Sequence, residues 1–123
     1  MLVVGNFGSG KTSLLNCLIK EYYADTKSTN YDDNVLYINN LKEQGISYYR
    51  TEVKHFCQSA SSIQGKKKIV VIDDIDAISE QSQQVFRNSM DKFKHTVHFI
   101  ASCTNIQKVI ESIQSRFFIV KMK

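Results

Sequence analysis

Short apolar runs alternate with helical patterns along the chain. Leu2-Val3-Val4 reads as a buried strand ending at Gly5. Leu14, Leu15, Leu18, Ile19 and Tyr22 then recur at helical spacing, which predicts an amphipathic helix from Lys11 to about Tyr23. Residues 24–34 are polar turn-formers and read as a loop before a second strand, Val35-Leu36-Tyr37-Ile38. Ile46, Tyr49, Val53 and Phe56 form the stripe of a second helix. A loop from Ser59 to Lys68 follows, with Lys66, Lys67 and Lys68 expected on the surface. Ile69-Val70-Val71-Ile72 is a continuous β-branched run, as a central strand buried on both faces requires. Ser79-Glu80-Gln81-Ser82 opens a third helix with Val85, Phe86, Met90 and Phe93 inward. Val97 to Ser102 is a fourth strand, Gln107–Ile113 a short helix, and Phe117-Phe118-Ile119-Val120 a fifth strand. Strands alternating with helices predict one α/β domain with a mostly parallel sheet.

Composition narrows the class. The chain has 123 residues, of which 42% are hydrophobic and 23% charged, enough for one modest core and ordinary for a globular domain. No apolar run approaches the ~18–20 residues of a membrane-spanning helix, and the first residues lack the pattern of a signal peptide. Cys17, Cys57 and Cys103 are odd in number and widely spaced, which argues for a reducing compartment and against a disulfide scaffold or zinc site. A soluble intracellular domain is expected. The net charge of +4 is uneven: residues 41–68 and 94–123 each carry +4, and residues 69–93 carry −3. The basic blocks read either as solvated surface lysine or as a surface facing a polyanion. Thirteen Lys against three Arg, with thirteen Ile and eight Asn, fit AT-rich coding DNA.

Gly5-Asn6-Phe7-Gly8-Ser9-Gly10-Lys11-Thr12 satisfies G-x-x-x-x-G-K-[ST] between a buried strand and an amphipathic helix. Glycines at Gly5, Gly8 and Gly10 let successive N–H groups converge on a phosphate, and the helix N-terminus adds about half a positive charge. Lys11 then bridges the β- and γ-phosphates, and the Thr12 hydroxyl ligates Mg²⁺. The candidate phosphate-binding set runs from Gly5 through Thr12 to Ser13. Ile69-Val70-Val71-Ile72-Asp73-Asp74 has the form of a Walker B strand, with Asp73 in the Mg²⁺ shell and Asp74 polarising the attacking water. Taken alone, the aspartates would also suit a cap or turn. In open parallel sheets ligands sit at the carboxyl ends of strands, where Gly5 and Asp73 both fall. Together these motifs predict nucleotide binding.

Thr104 and Asn105 follow the fourth strand, where one of them senses the γ-phosphate or orients water, or the pair forms a simple turn. Arg116 precedes the fifth strand and reads either as a surface arginine or as a finger reaching a neighbouring subunit's γ-phosphate. His55, His95 and His98 show no metal-ligand or nucleophile-base pattern, and His98 reads as structural.

Over nearly the whole chain these residues resemble the small subunits of the replication factor C clamp loader, within the AAA+ ATPases. Besides the phosphate loop, Ile72-Asp73-Asp74-Ile75-Asp76 resembles the family's D-E-x-D box. Asn39, Gly45 and Ile46 match the segment before the second helix, and Gln83 to Arg87 resembles the A-Q-x-A-L-R-R helix. Val109 to Arg116 resembles I-I-E-P-I-Q-S-R-C, with Arg116 at the arginine-finger position. Counting back from Ser115-Arg116 puts the sensor asparagine of the family on Thr104, with Asn105 one step along. The chain also departs from the pattern. Asn6-Phe7 replace two loop prolines, Asp74 replaces a glutamate, Asn88 an arginine, Ser112 a proline and Phe117 a cysteine. A carboxylate one methylene shorter at Asp74 is expected to slow hydrolysis, so Asp74→Glu should raise turnover.

The resemblance implies a five-stranded parallel P-loop sandwich of sheet order 5-1-4-3-2. It implies ATP and Mg²⁺ as cofactors, and ATP hydrolysis at a subunit interface that loads a sliding clamp at primer–template junctions. Other clamp-loader subunits, the clamp and primer–template DNA are the implied partners, with no membrane. Gly45, Ile46 and Ser47 are the candidate DNA contact. The rival readings are another DNA-linked AAA+ ATPase, such as a helicase loader or initiator, and a nucleotide-binding scaffold subunit with little hydrolysis. Such subunits carry a lead-in segment before the first strand and a helical lid and collar after the fifth, so residues 1–123 are expected to be the ATPase core alone. The nucleus or a viral replication site is the implied location, since large DNA viruses and other AT-rich genomes encode divergent subunits of this kind.

Overall fold

The computed structural model describes residues 1–6, 10–24, 32–39, 49–61, 63 and 65–122. Five strands form one sheet: β1 (Leu2–Val4), β2 (Val35–Asn39), β3 (Lys68–Asp73), β4 (Val97–Cys103) and β5 (Ile119–Lys121). Their order is β2-β3-β4-β1-β5, and every neighbouring pair is parallel. This is the 5-1-4-3-2 order that the resemblance implies, counted from the other edge. Parallel neighbours need crossovers, and here the crossovers carry α1 (Lys11–Tyr22), α2 (Lys54–Gln58), α3 (Glu80–Phe93) and α4 (Glu111–Gln114). None of the described helices is long and apolar enough to cross a membrane.

Strand alternation splits the core into two layers. Val3, Ile69 and Val71 face α1, meeting Leu15, Ile19 and Tyr23. Leu2, Val70, Ile72, Phe99 and Ala101 point the other way, into Val85, Phe86 and Met90 of α3, with Val53, Cys57 and Ile113 closing that layer. Because both faces are covered, β3 has no polar residue between Ile69 and Ile72, which is why it reads as an unbroken apolar run. Ser79 caps α3, its hydroxyl accepting from the Ser82 N–H, and Glu80 occupies the first turn.

Several expectations need correction. Along α1 the buried line is Leu15 and Ile19, continued by Tyr23 just past the helix end, while Leu18 lies at the margin with 37% exposure. Tyr23 is drawn in by its hydroxyl, which donates to the Lys67 carbonyl at 2.8 Å. Lys68 is not on the surface. It is 5% exposed, with Nζ donating to the Phe56 carbonyl at 2.9 Å above the Phe56 ring. The second helix is irregular: Tyr49–Val53 winds as a π-helix before α2, so Val53 and Cys57 are buried at i, i+4 and Phe56 only flanks the core. The helix expected over Gln107–Ile113 splits into a 3₁₀ turn, Ile106–Lys108, and α4. The break coincides with Gln83, whose Oε1 accepts from the Ile110 N–H at 2.9 Å. Finally, β5 starts at Ile119: Phe117 turns into the core, and Phe118 is left 76% exposed.

Candidate nucleotide-binding site

The carboxyl ends of β1, β3 and β4 converge on one polar edge. The Gly5 N–H donates to the Cys103 carbonyl at 3.1 Å, which ties the exit of β1 to the end of β4. Gly10 has φ 88°, a left-handed conformation that favours glycine, and its carbonyl accepts from the Leu14 N–H at 2.9 Å. The chain therefore turns directly into α1, so that Lys11 and Thr12 occupy its first turn. Lys11 is buried, and its ammonium donates to the carbonyls of Gly5 (2.9 Å) and Asn6 (3.2 Å) and to Thr104 Oγ1 (3.3 Å). Thr12 Oγ1 lies 3.2 Å from Asp73 Oδ2 and 3.5 Å from Oδ1.

Asp73 is held from two sides. Tyr37 of β2 donates its hydroxyl to Oδ2 at 3.1 Å, and Ser102 of β4 donates to Oδ1 at 2.5 Å. The same Ser102 oxygen accepts from the Asp74 N–H at 2.9 Å. Asp74 adopts φ 56°, ψ 54°, a left-handed conformation unusual for a residue with a Cβ, so one buried hydroxyl braces both aspartates. Asp76 Oδ2 accepts from the N–H groups of Thr104 (3.2 Å) and Asn105 (2.9 Å), drawing the end of β4 towards the carboxylates. Burial, and then the charges of Asp73 and Asp76, hold the Asp74 carboxyl above its ordinary range against the opposing pull of Lys11. Burial and then the charge of Asp73 push the Tyr37 phenol up to about 12.

The donor set fits Mg²⁺ and a polyphosphate. A hydroxyl and a carboxylate within 3.2 Å are hard oxygen ligands of the kind Mg²⁺ takes in small number, and Lys11 already satisfies carbonyls at the loop where phosphate oxygens would sit. Gly5, Asn6, Gly10, Lys11, Thr12, Asp73 and Thr104 come together, and Ser13 lies exposed in the same first turn. Phe7, Gly8 and Ser9 lie outside the described residues, as do the DNA-contact candidates Gly45, Ile46 and Ser47. The two sensor candidates differ in their bonding. The Thr104 hydroxyl meets Lys11, whereas the Asn105 side chain turns back to accept from the Gln107 N–H at 3.1 Å. Arg116 bonds instead to Asp91 and to the Ser112 carbonyl.

Sequence reasoning missed Ser102, Tyr37 and the anchoring role of Gln83. Gln83 is 1% exposed and binds the Ile78 and Lys108 carbonyls and the Ile110 N–H. Its signal was a polar residue at position i of the inward line continued by Phe86 and Met90. That of Ser102 was a hydroxyl inside an apolar strand.

The model of the ATPase family associated with various cellular activities (AAA) matches residues 1–122. The chain belongs to the AAA ATPase family. It is 34% identical over 122 residues to "Replication factor C subunit 4" of Saccharomyces cerevisiae, covering 98% of this chain and 36% of that protein. A "Replication factor C small subunit" of Methanocella arvoryzae is 34% identical over 116 residues, covering 94% of this chain and 35% of that one. The chain thus spans about a third of the length of these relatives. Among solved structures, a DNA polymerase III gamma subunit-related protein of Thermotoga maritima superposes with TM-score 0.78 at 18% identity, over 100% of this chain and 40% of that one. That likeness is one of fold, and it matches the parallel sheet order described above.

Proposed function

We propose that this AAA ATPase domain binds and hydrolyses ATP as a subunit of a DNA sliding-clamp loader, acting in replication at primer–template junctions. The observation that carries the reading is the apposition of Lys11 and Thr12 with Asp73 and Thr104 at the carboxyl ends of three adjacent strands. The similarity to replication factor C subunits along nearly all of the chain supports the clamp-loading role, since the fold alone is shared by proteins of many functions. Bound Mg·ATP supplies the phosphoryl group and the divalent charge that polarises it. Thr12 and Asp73 would hold the cation, and Lys11 would turn to the phosphates the donors it directs at Gly5 and Asn6. Asp74, next to Asp73 at the end of β3, accepts the proton of the attacking water. Thr104 orients the γ-phosphate, and Arg116 serves the site of a neighbouring subunit in trans. The partners are other loader subunits, the clamp and primer–template DNA, in the nucleus or at a viral replication site.

The test is ATP turnover by the full-length protein assembled with its partner subunits, with and without DNA and clamp, beside Arg116→Ala. Stimulation that needs both DNA and clamp, and is lost with Arg116→Ala, is expected. Turnover indifferent to the clamp would move the protein to the helicase loaders or initiators. One observation favours a scaffold with little hydrolysis: aspartate in place of the family's glutamate at residue 74. Near-zero turnover by an assembly in which only this subunit keeps its phosphate-loop lysine would support it.

A further inference from the structure

The bonding of Arg116 within its own chain is specific. Nε donates to Asp91 Oδ1 at 2.7 Å, Nη2 to Asp91 Oδ2 at 3.0 Å, and Nη1 to the Ser112 carbonyl at 2.6 Å. A guanidinium has five N–H donors, so one N–H remains on each terminal nitrogen beyond these three bonds. The side chain is a third exposed, and the pair borders a cleft shared with Lys94, His98 and Phe117. Asp91 sits in the last turn of α3, a helix anchored in the core by Phe86 and Met90. Arg116, by contrast, belongs to the short link between α4 and β5. The carboxylate therefore ties a long, flexible cation on a link to a rigid helix. Arg87, one turn earlier on α3, lies 3.8 Å from Asp91 Oδ2 and adds a second positive charge on the side away from Arg116 Nε.

We propose that Asp91 is a positioning residue that holds the Arg116 guanidinium by one edge and presents its two remaining N–H groups to an anionic oxygen, the γ-phosphate of a nucleotide bound by the adjoining subunit. The inference rests on the trans-acting role of Arg116 stated above. Two physical points favour presentation over a lock. Asp91 takes only one edge of the guanidinium, so a phosphate can engage the remaining N–H groups without the pair having to break, and the contact is not a lock. A bidentate pair also fixes the plane of the guanidinium, removing the rotamer freedom that a free arginine would lose on engaging phosphate.

The experiment uses the full-length protein in its assembly with partner subunits, DNA and clamp, and compares Asp91→Asn, Asp91→Glu, Arg116→Ala and the Asp91→Asn/Arg116→Ala double variant. Asp91→Asn, which keeps the shape and loses the charge, should lower stimulated kcat about ten- to a hundredfold, the scale of a misplaced catalytic group. Nucleotide affinity of the variant subunit's own site should not change, a split that a general loss of structure would not give. Asp91→Glu should restore most of the rate, and Asp91→Asn should add nothing in the Arg116→Ala background. A wild-type or raised rate for Asp91→Asn, or losses that multiply in the double variant, would overturn the proposal while leaving the trans role of Arg116 intact. No effect of Arg116→Ala itself would remove both.

Discussion

Ser102→Ala is the most informative single perturbation of the site, because one buried hydroxyl braces both aspartates. It donates to Asp73 Oδ1 at 2.5 Å and accepts from the Asp74 N–H at 2.9 Å. Alanine differs by one oxygen, so the cavity contribution is small and the change reports on polar bonding. A hydrogen bond to a charged group contributes about 1.5–3 kcal/mol net, and withdrawing the partner of a buried polar group costs about 1–3 kcal/mol. Asp73 and Asp74 are half-buried and water reaches part of the site, so the lower ends apply, and the expected loss is about 2–3 kcal/mol. Against the 5–15 kcal/mol typical of a domain, the variant should fold, with a clearly lower urea midpoint. The second readout is chemical: with Asp73 less firmly oriented, the Mg²⁺-dependent part of nucleotide affinity should weaken by about tenfold or more, as for other groups that orient metal ligands. A stability loss under about 0.5 kcal/mol, with unchanged Mg²⁺ dependence, refutes the bracing role.

Three further outcomes follow from the same bonds. Gln83→Leu withdraws partners from two carbonyls and the Ile110 N–H, and should cost about 2–5 kcal/mol; hydrogen exchange should show the Ile110 amide opening at least tenfold faster, and unchanged protection would refute the anchoring. Thr104→Val should lower stimulated turnover about tenfold or more while barely altering stability, whereas Asn105→Ala should remove the cap of the 3₁₀ turn at about 1 kcal/mol and spare turnover; equal losses of rate would contradict the assignment. Burial first, and then the charge of Lys67, lower the His98 pKa below 6.5. The unfolded chain then binds the proton more readily, so stability is full above about pH 6.5 and falls as pH drops towards the folded pKa. Denaturation at pH 7.5 and pH 5 should show this acid loss in the wild type and a smaller one in His98→Gln.

The sheet was legible because its central strand β3 is buried on both faces and announces itself as an apolar run, and the phosphate loop was legible because its chemistry lies in consecutive residues. Misreadings came where a tertiary contact overrode local pattern. Tyr23 rather than Leu18 entered the core because its hydroxyl found the Lys67 carbonyl, and Lys68 was buried because its ammonium found the Phe56 carbonyl. The polar bracing of the site was invisible for a different reason. Ser102 and Tyr37 stand 29 and 36 residues from Asp73, and one sequence carries no record of which distant residues meet. Once the strand order is known, the bracing follows. Ile72 pairs with Ala101, so the next step of the parallel ladder sets Asp73 beside Ser102. Asn39 pairs with Asp73, so Tyr37, two residues back on the same face, is its diagonal neighbour, within reach of a long side chain. The carboxylate that would hold the cation is thus positioned by the order of the strands as much as by its own motif, and a substitution that preserves the motif but shifts the β3–β4 register by one residue would abolish the site.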